Sequence, residues 1–138
     1  MNTMAPPRPT RSTGLRVCRV RLPAGPAAAA EARRQLRAAI RAWDVRVDHD
    51  VAVLLTSDLV TNAVSRETGQ TVTLAIACSP GQLRVEVHGS SYPPGQTGPP
   101  TDAEIWPGLI LVATLSDEWG FYRTPSGKAV YFTLFPAP

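Results

Sequence analysis

Ser57-Asp58-Leu59-Val60-Thr61-Asn62-Ala63-Val64 sets a carboxylate and a carboxamide four residues apart within an amphipathic pattern. At 3.6 residues per turn, Asp58 and Asn62 share one helix face, one above the other. Leu55, Leu59, Val60, Ala63 and Val64 form the apolar side of the same helix, and Asp58, Thr61, Asn62 and Ser65 form the polar side. Two stacked oxygen-bearing side chains suit a hydrated Mg²⁺ carrying a nucleotide's phosphates. They also suit a plain solvated stripe. The pattern predicts a helix from Val51 to about Ser65, with Asp50 as its cap.

Before that helix, Leu15 to Leu22 alternates as a strand, and its arginines mark it as an edge. Pro23-Ala24-Gly25-Pro26 stops it. Ala27 to Trp43 is rich in helix formers, with Pro26 suited to the first helical position. Leu36, Ala39, Ile40 and Trp43 form its apolar stripe, which leaves Arg33, Arg34, Arg37 and Arg41 to water. After it, Val72, Leu74, Ile76 and Cys78 alternate with small or polar residues. Ser79-Pro80-Gly81 turns the chain, and Leu83, Val85 and Val87 alternate with Arg84, Glu86 and His88. One face of this hairpin is apolar and calls for a helical cover.

Residues 89–100 form a Gly/Pro/Ser loop of functional length. Gly108 to Leu115 is continuously apolar and reads as a buried helix. Trp119 to Arg123 and Ala129 to Phe135 make a closing hairpin around Pro125-Ser126-Gly127. The expectation is an α+β two-layer sandwich, a mostly antiparallel sheet with helices on one face. Residues 1–13 read as a disordered tail and 14–138 as a single domain, without internal repeat.

Composition narrows the function. Apolar residues are 43% and charged residues 18%, which excludes a disordered chain. No apolar run reaches the roughly 20 residues that span a bilayer, and the N-terminus lacks a secretory core, so a cytoplasmic protein without membrane contact is expected. The net charge is +3, yet Lys128 is the one lysine among 14 basic residues. So Arg-rich a chain, with 14 Pro, reflects a high-GC genome more than nucleic-acid binding. The arginines are scattered with few aromatics among them, which offers no stacking platform. Cys18 and Cys78 have no metal spacing and read as buried free thiols. His49 and His88 lack ligand partners at metal spacing, and Trp43 and Trp119 read as core or interface anchors.

Taken in order, Asp58-Leu59-Val60-Thr61-Asn62-Ala63-Val64, Leu83-Arg84-Val85-Glu86-Val87-His88, Gly108-Leu109-Ile110-Leu111-Val112, Asp117-Glu118-Trp119-Gly120 and Gly127-Lys128 form one layout. With it the chain resembles the GHKL (histidine-kinase-like) ATPase superfamily. The likeness is to its small bacterial branch of anti-sigma-factor serine kinases and related regulatory ATP-binding proteins of high-GC bacteria. It covers about Leu15 to Leu134 and implies the Bergerat-type ATP-binding fold, with ATP and Mg²⁺ as cofactors. By the resemblance Asn62 holds Mg²⁺, and Asp58 stands where the family usually has a catalytic Glu, one methylene longer. Arg66 stands one turn on, where this branch often has His. Gly108, with Leu109 after it, opens the buried helix toward phosphate, and Lys128 is a phosphate contact. From the residues alone, Lys128 reads equally as a solvated lysine beside a turn.

Three departures point to a weakened site. Asp58 shortens the reach toward substrate by about 1 Å. The family's adenine-reading Asp corresponds to Gly89, where Ser90 or Ser91 offers only a hydroxyl. The Gly-x-Gly that meets phosphate reads Trp106-Pro107-Gly108, with bulk first and then a residue lacking an N–H. Trp106 either plugs the vacated pocket or stands out for a partner.

The expected function is therefore regulatory protein–protein binding in transcription, with a sigma factor or an anti-sigma antagonist as partner, no direct nucleic acid, and binding of ATP and Mg²⁺ and kinase activity weakened or lost. The alternative is an active ATP-dependent protein-serine kinase. Relatives of this type tend to dimerise, so a homodimer is an expectation carried by the resemblance. An unrelated α+β module binding nucleic acid through its arginines is the reading without the family.

Overall fold

The computed structural model describes residues 14–64, 71–89, 109–125 and 127–136. The tail expected over residues 1–13 lies outside them, as do Arg66, Ser90, Ser91, Trp106, Pro107 and Gly108. Among the described residues, five strands and three helices follow in the order β1 (Arg16–Pro23), α1 (Ala28–Trp43), α2 (His49–Val64), β2 (Thr71–Ser79), β3 (Gln82–Gly89), α3 (Ile110–Leu115), β4 (Glu118–Thr124) and β5 (Gly127–Leu134). The strands form one sheet in the order β1-β2-β3-β5-β4, antiparallel at every pairing. This is the α+β two-layer architecture expected, with β1 at an edge.

Alternation builds the sheet. Leu22, Val72, Leu74, Ile76, Leu83, Val85, Val87, Val130, Phe132 and Leu134 are buried on the side that meets the helices. α1 lies against β1 and β2, α2 against β2, β3 and β5, and the two helices pack on each other. Leu36 and Ile40 of α1 and Leu55, Leu59 and Val60 of α2 fill the layer between. Thr56 is also buried there, and its Oγ1 finds no partner, a cost of roughly 1–3 kcal/mol.

Several local expectations are corrected. Pro26 lies in the turn before α1 rather than at its first position. α2 is capped by Asp48 instead of Asp50: Asp48 Oδ1 accepts from the Val51 N–H at 3.1 Å, the geometry of a side-chain N-cap. Arg33 does not face water but donates to Ser57 Oγ at 2.9 Å, tying α1 to α2. Cys18 and Cys78 are free but only half-buried. α3 is not buried throughout. Leu109 and Val112 are enclosed, whereas Ile110 is 57% exposed and Leu111 and Leu115 are exposed too. A helix of six residues turns one side to α2 and β4, and its remaining apolar side chains stand outward among the described residues.

Candidate functional site

α2 ends over the end of the sheet where β3 stops and β5 begins. From α2 come Leu59, Asn62 and Ala63, from β3 Val87 and Gly89, and from β5 Lys128 and Val130. These residues line one small cavity of about 10 Å³, room for a single water molecule. Gly89 and Lys128 are cross-strand partners. The positions matched by resemblance to adenine and to phosphate thus adjoin each other, with Asn62 facing them from the helix.

Lys128 is 5% exposed. This removes the solvated reading of that residue. The cause is parity: Lys128, Val130, Phe132 and Leu134 alternate onto the helix side of β5, so the ammonium is carried inward with the apolar residues. Ammonium burial is costly unless the group is satisfied, and Lys128 does have a polar or electrostatic contact.

Asp58 is half-buried on α2, one turn before Asn62, and does not line the cavity. Burial pushes its carboxyl above the ordinary value. A shift of that direction is what a general base needs, and it is also what any partly enclosed carboxylate shows. Leu109 is buried where α3 begins, and α3 packs on α2. Among the described residues no group of three or more His, Cys, Asp or Glu side chains is arranged to hold a metal ion. The oxygen donors of the site are therefore Asn62, and Asp58 one turn away. By the resemblance Asn62 would hold Mg²⁺, which would supply charge neutralisation for phosphate there, and the described side chains alone would not complete its shell.

The apolar walls, Val87 and Val130, were not singled out from sequence, although their alternation places them on this face. The histidines take local roles. His49 Nε2 lies 2.8 Å from the Val45 carbonyl oxygen, and His88 Nε2 lies 2.9 Å from Glu86 Oε1 on the other face of the sheet. Trp43 and Trp119 are half-buried against the core.

A second, larger cavity of about 420 Å³ opens at the opposite end of the sheet, where Trp43, Val45 and Val47 face Cys78 and Pro80. None of the residues assigned to the nucleotide site from the sequence lies in it. Among the described residues, no helix is long and apolar enough to cross a membrane.

No family model matches the chain, and no curated protein matches it. Among solved structures it is similar to the RsbU and RsbW domains of Rv1364c from Mycobacterium tuberculosis, with a TM-score of 0.64 and 22% identity. The match covers 88% of this chain and 33% of that one, so the chain spans about a third of the length of the solved chain it matches. At this identity the likeness is one of fold. It agrees with a five-stranded antiparallel sheet under a helical layer, a two-layer α+β sandwich.

Proposed function

We propose that this chain is a regulatory protein of the anti-sigma-factor kind. It acts by binding a protein partner, a sigma factor or an anti-sigma antagonist, through a GHKL-type fold whose nucleotide site has degenerated. The observation that carries this reading is the state of the pocket. Asn62, Gly89 and Lys128 line one small cavity of about 10 Å³, and no carboxylate is among the described residues that line it, which supports a weakened site. Gly89 brings no carboxylate to the adenine edge, and a hydrogen bond to a charged acceptor is worth roughly 1.5–3 kcal/mol. Its loss corresponds to on the order of 10- to 100-fold in affinity. The fold shared with a solved structure that contains an RsbW domain supports the regulatory context.

Isothermal titration of the chain with ATP and Mg²⁺ tests this. The expected outcome is no binding below about 1 mM. Micromolar binding would overturn the degenerate site. In that event the kinase reading takes over, with Asn62 holding the metal, and one observation favours it: Asp58 retains a raised carboxyl on the Asn62 face. Loss of phosphate transfer to an antagonist in Asn62→Ala would establish it.

A further inference from the structure

The other face of the sheet carries a polar cluster that the nucleotide reading does not use. Glu86 lies at its centre. Its carboxylate accepts from Arg84 Nε at 2.5 Å and from Tyr122 Oη at 2.6 Å, and meets His88 Nε2 at 2.9 Å. Burial alone would raise this carboxyl, but the hydrogen bonds from Tyr122, Arg84 and His88 and the Arg84 charge bring it below the ordinary value. Glu86 therefore stays ionised and is consumed internally, with little negative charge left to present outward.

The same bonds fix Arg84. Its guanidinium lies over the Tyr131 ring, 3.8 Å from the centroid. With Nε engaged by Glu86, the two terminal amino groups keep a planar fork for a carboxylate from outside. Tyr131 in turn rests over Gly120 of β4, where a Cβ would come within 2.8 Å of its hydroxyl oxygen. Arg19 of β1 lies in the same cross-strand row as Glu86, opposite Ala75, which sets it on this face as well. The described helices all pack on the opposite face.

We infer that this sheet face, which no described helix covers and which centres on Arg84, Tyr131, Tyr122 and Arg19, docks an acidic segment of a partner protein. Charge complementarity names the occupant: by register Arg19, Arg21 and Arg84 share this face with two carboxylates, Glu86, which Arg84 and Tyr122 already engage, and Glu118 at the β4 edge, which accepts from Thr133, so one positive charge is in excess. Arg and Tyr held in place before binding lose little entropy on contact and are the residue types that dominate protein interfaces. A single-stranded nucleic acid fits less well, because it needs open ring faces. Here Arg84 covers the face of Tyr131, and Tyr122 stands edge-on to His88, at 89°. This surface lies on the far side of the sheet from the Asn62 cavity, so the inference does not depend on whether ATP binds.

The test is fluorescence anisotropy with a labelled octaglutamate peptide, with a labelled oligothymidylate as the second arm, at about 50 mM salt so that screening is modest. The peptide is expected to bind. Arg84→Glu and Arg19→Glu should each weaken it by on the order of ten-fold or more. Arg37→Glu, the same charge change on the exposed side of α1, should leave it unaltered. Arg19→Glu serves as the second variant should Arg84→Glu fail to fold, since Arg19 is exposed and outside the Glu86 hydrogen bonds. Absence of peptide binding overturns the inference, as does an equal loss in Arg37→Glu. Tighter binding of oligothymidylate, abolished by the same variants, replaces the acidic protein with nucleic acid. Self-association in sedimentation that Arg84→Glu abolishes makes a second copy of the chain the occupant.

Discussion

Asp58 and Glu86 are both half-enclosed carboxylates, and their surroundings drive them in opposite directions. Asp58 is raised by burial, with no side-chain hydrogen bond among the described residues to offset it. A folded-state value above the unfolded one means that stability is full below the unfolded value and lost as pH rises through the folded one. Asp58→Asn should therefore raise the melting temperature at pH 7, by the equivalent of up to about 0.5 kcal/mol. The gain should vanish below about pH 3.9, where both states are protonated. Glu86 behaves in the reverse sense. Its value is depressed, so its contribution is present above the unfolded value and disappears as pH falls through the folded one. Glu86→Gln should lower the melting temperature at pH 7 and make little difference in acid below both values; thermal melts across pH read both effects. The Asp58/Asn62 spacing was legible in the sequence because helical periodicity alone sets it. The bond from Tyr122 to Glu86 was not, because it joins residues 36 apart that only the β3-β5-β4 pairing brings together. The burial of Lys128 was hidden for a related reason. A lysine one residue after a turn reads as solvated until the strand's parity is known.

At the scale of elements, α2 shows how an error of two residues arises and how to measure it. Asp48 and Asp50 both precede or open the apolar run, and either is an acceptable cap by type. The structure gives the bond to Asp48, whose Oδ1 takes the Val51 N–H, and puts Asp50 inside the first turn. Asp48→Ala should cost about 1 kcal/mol in chemical denaturation. Asp50→Ala should cost less, since only its interaction with the helix dipole is removed, about 0.3–1 kcal/mol. A larger loss for Asp50→Ala would contradict the observed cap. α3 carries a different lesson. A run apolar but for Thr114 predicts burial, but a helix of six residues has too little length to be surrounded, and its composition says nothing of which sides are covered. Arg33 departs from expectation through its reach: the helical wheel sends it outward, and its long stem carries the guanidinium across to Ser57 of α2.

For the whole molecule, two-residue alternation in the hairpins and the amphipathic helices sufficed for the two-layer class. The strand order was beyond that reasoning. Local pairing would set β3, β4 and β5 side by side in sequence order, whereas β5 enters between β3 and β4. The reason is the side-chain complement of β5. Ala129, Val130, Phe132 and Thr133 are all buried, so both faces of this strand suit the middle of the sheet, while exposed Tyr122 and Arg123 leave β4 at an edge. The candidate site depends on this order, because Lys128 reaches Gly89 only with β5 beside β3.

The insertion of β5 also bears on how the chain is made. During synthesis β1, β2 and β3 emerge with α1 and α2 and can pair by themselves, but β3 keeps one row of unpaired backbone groups until the last described strand arrives. An unprotected sheet edge recruits other chains. Interrupted translation or cleavage just before Gly127 would therefore leave a well-formed half-sheet with an adhesive margin, and the turn that delivers Lys128 to the pocket is the same one that seals it.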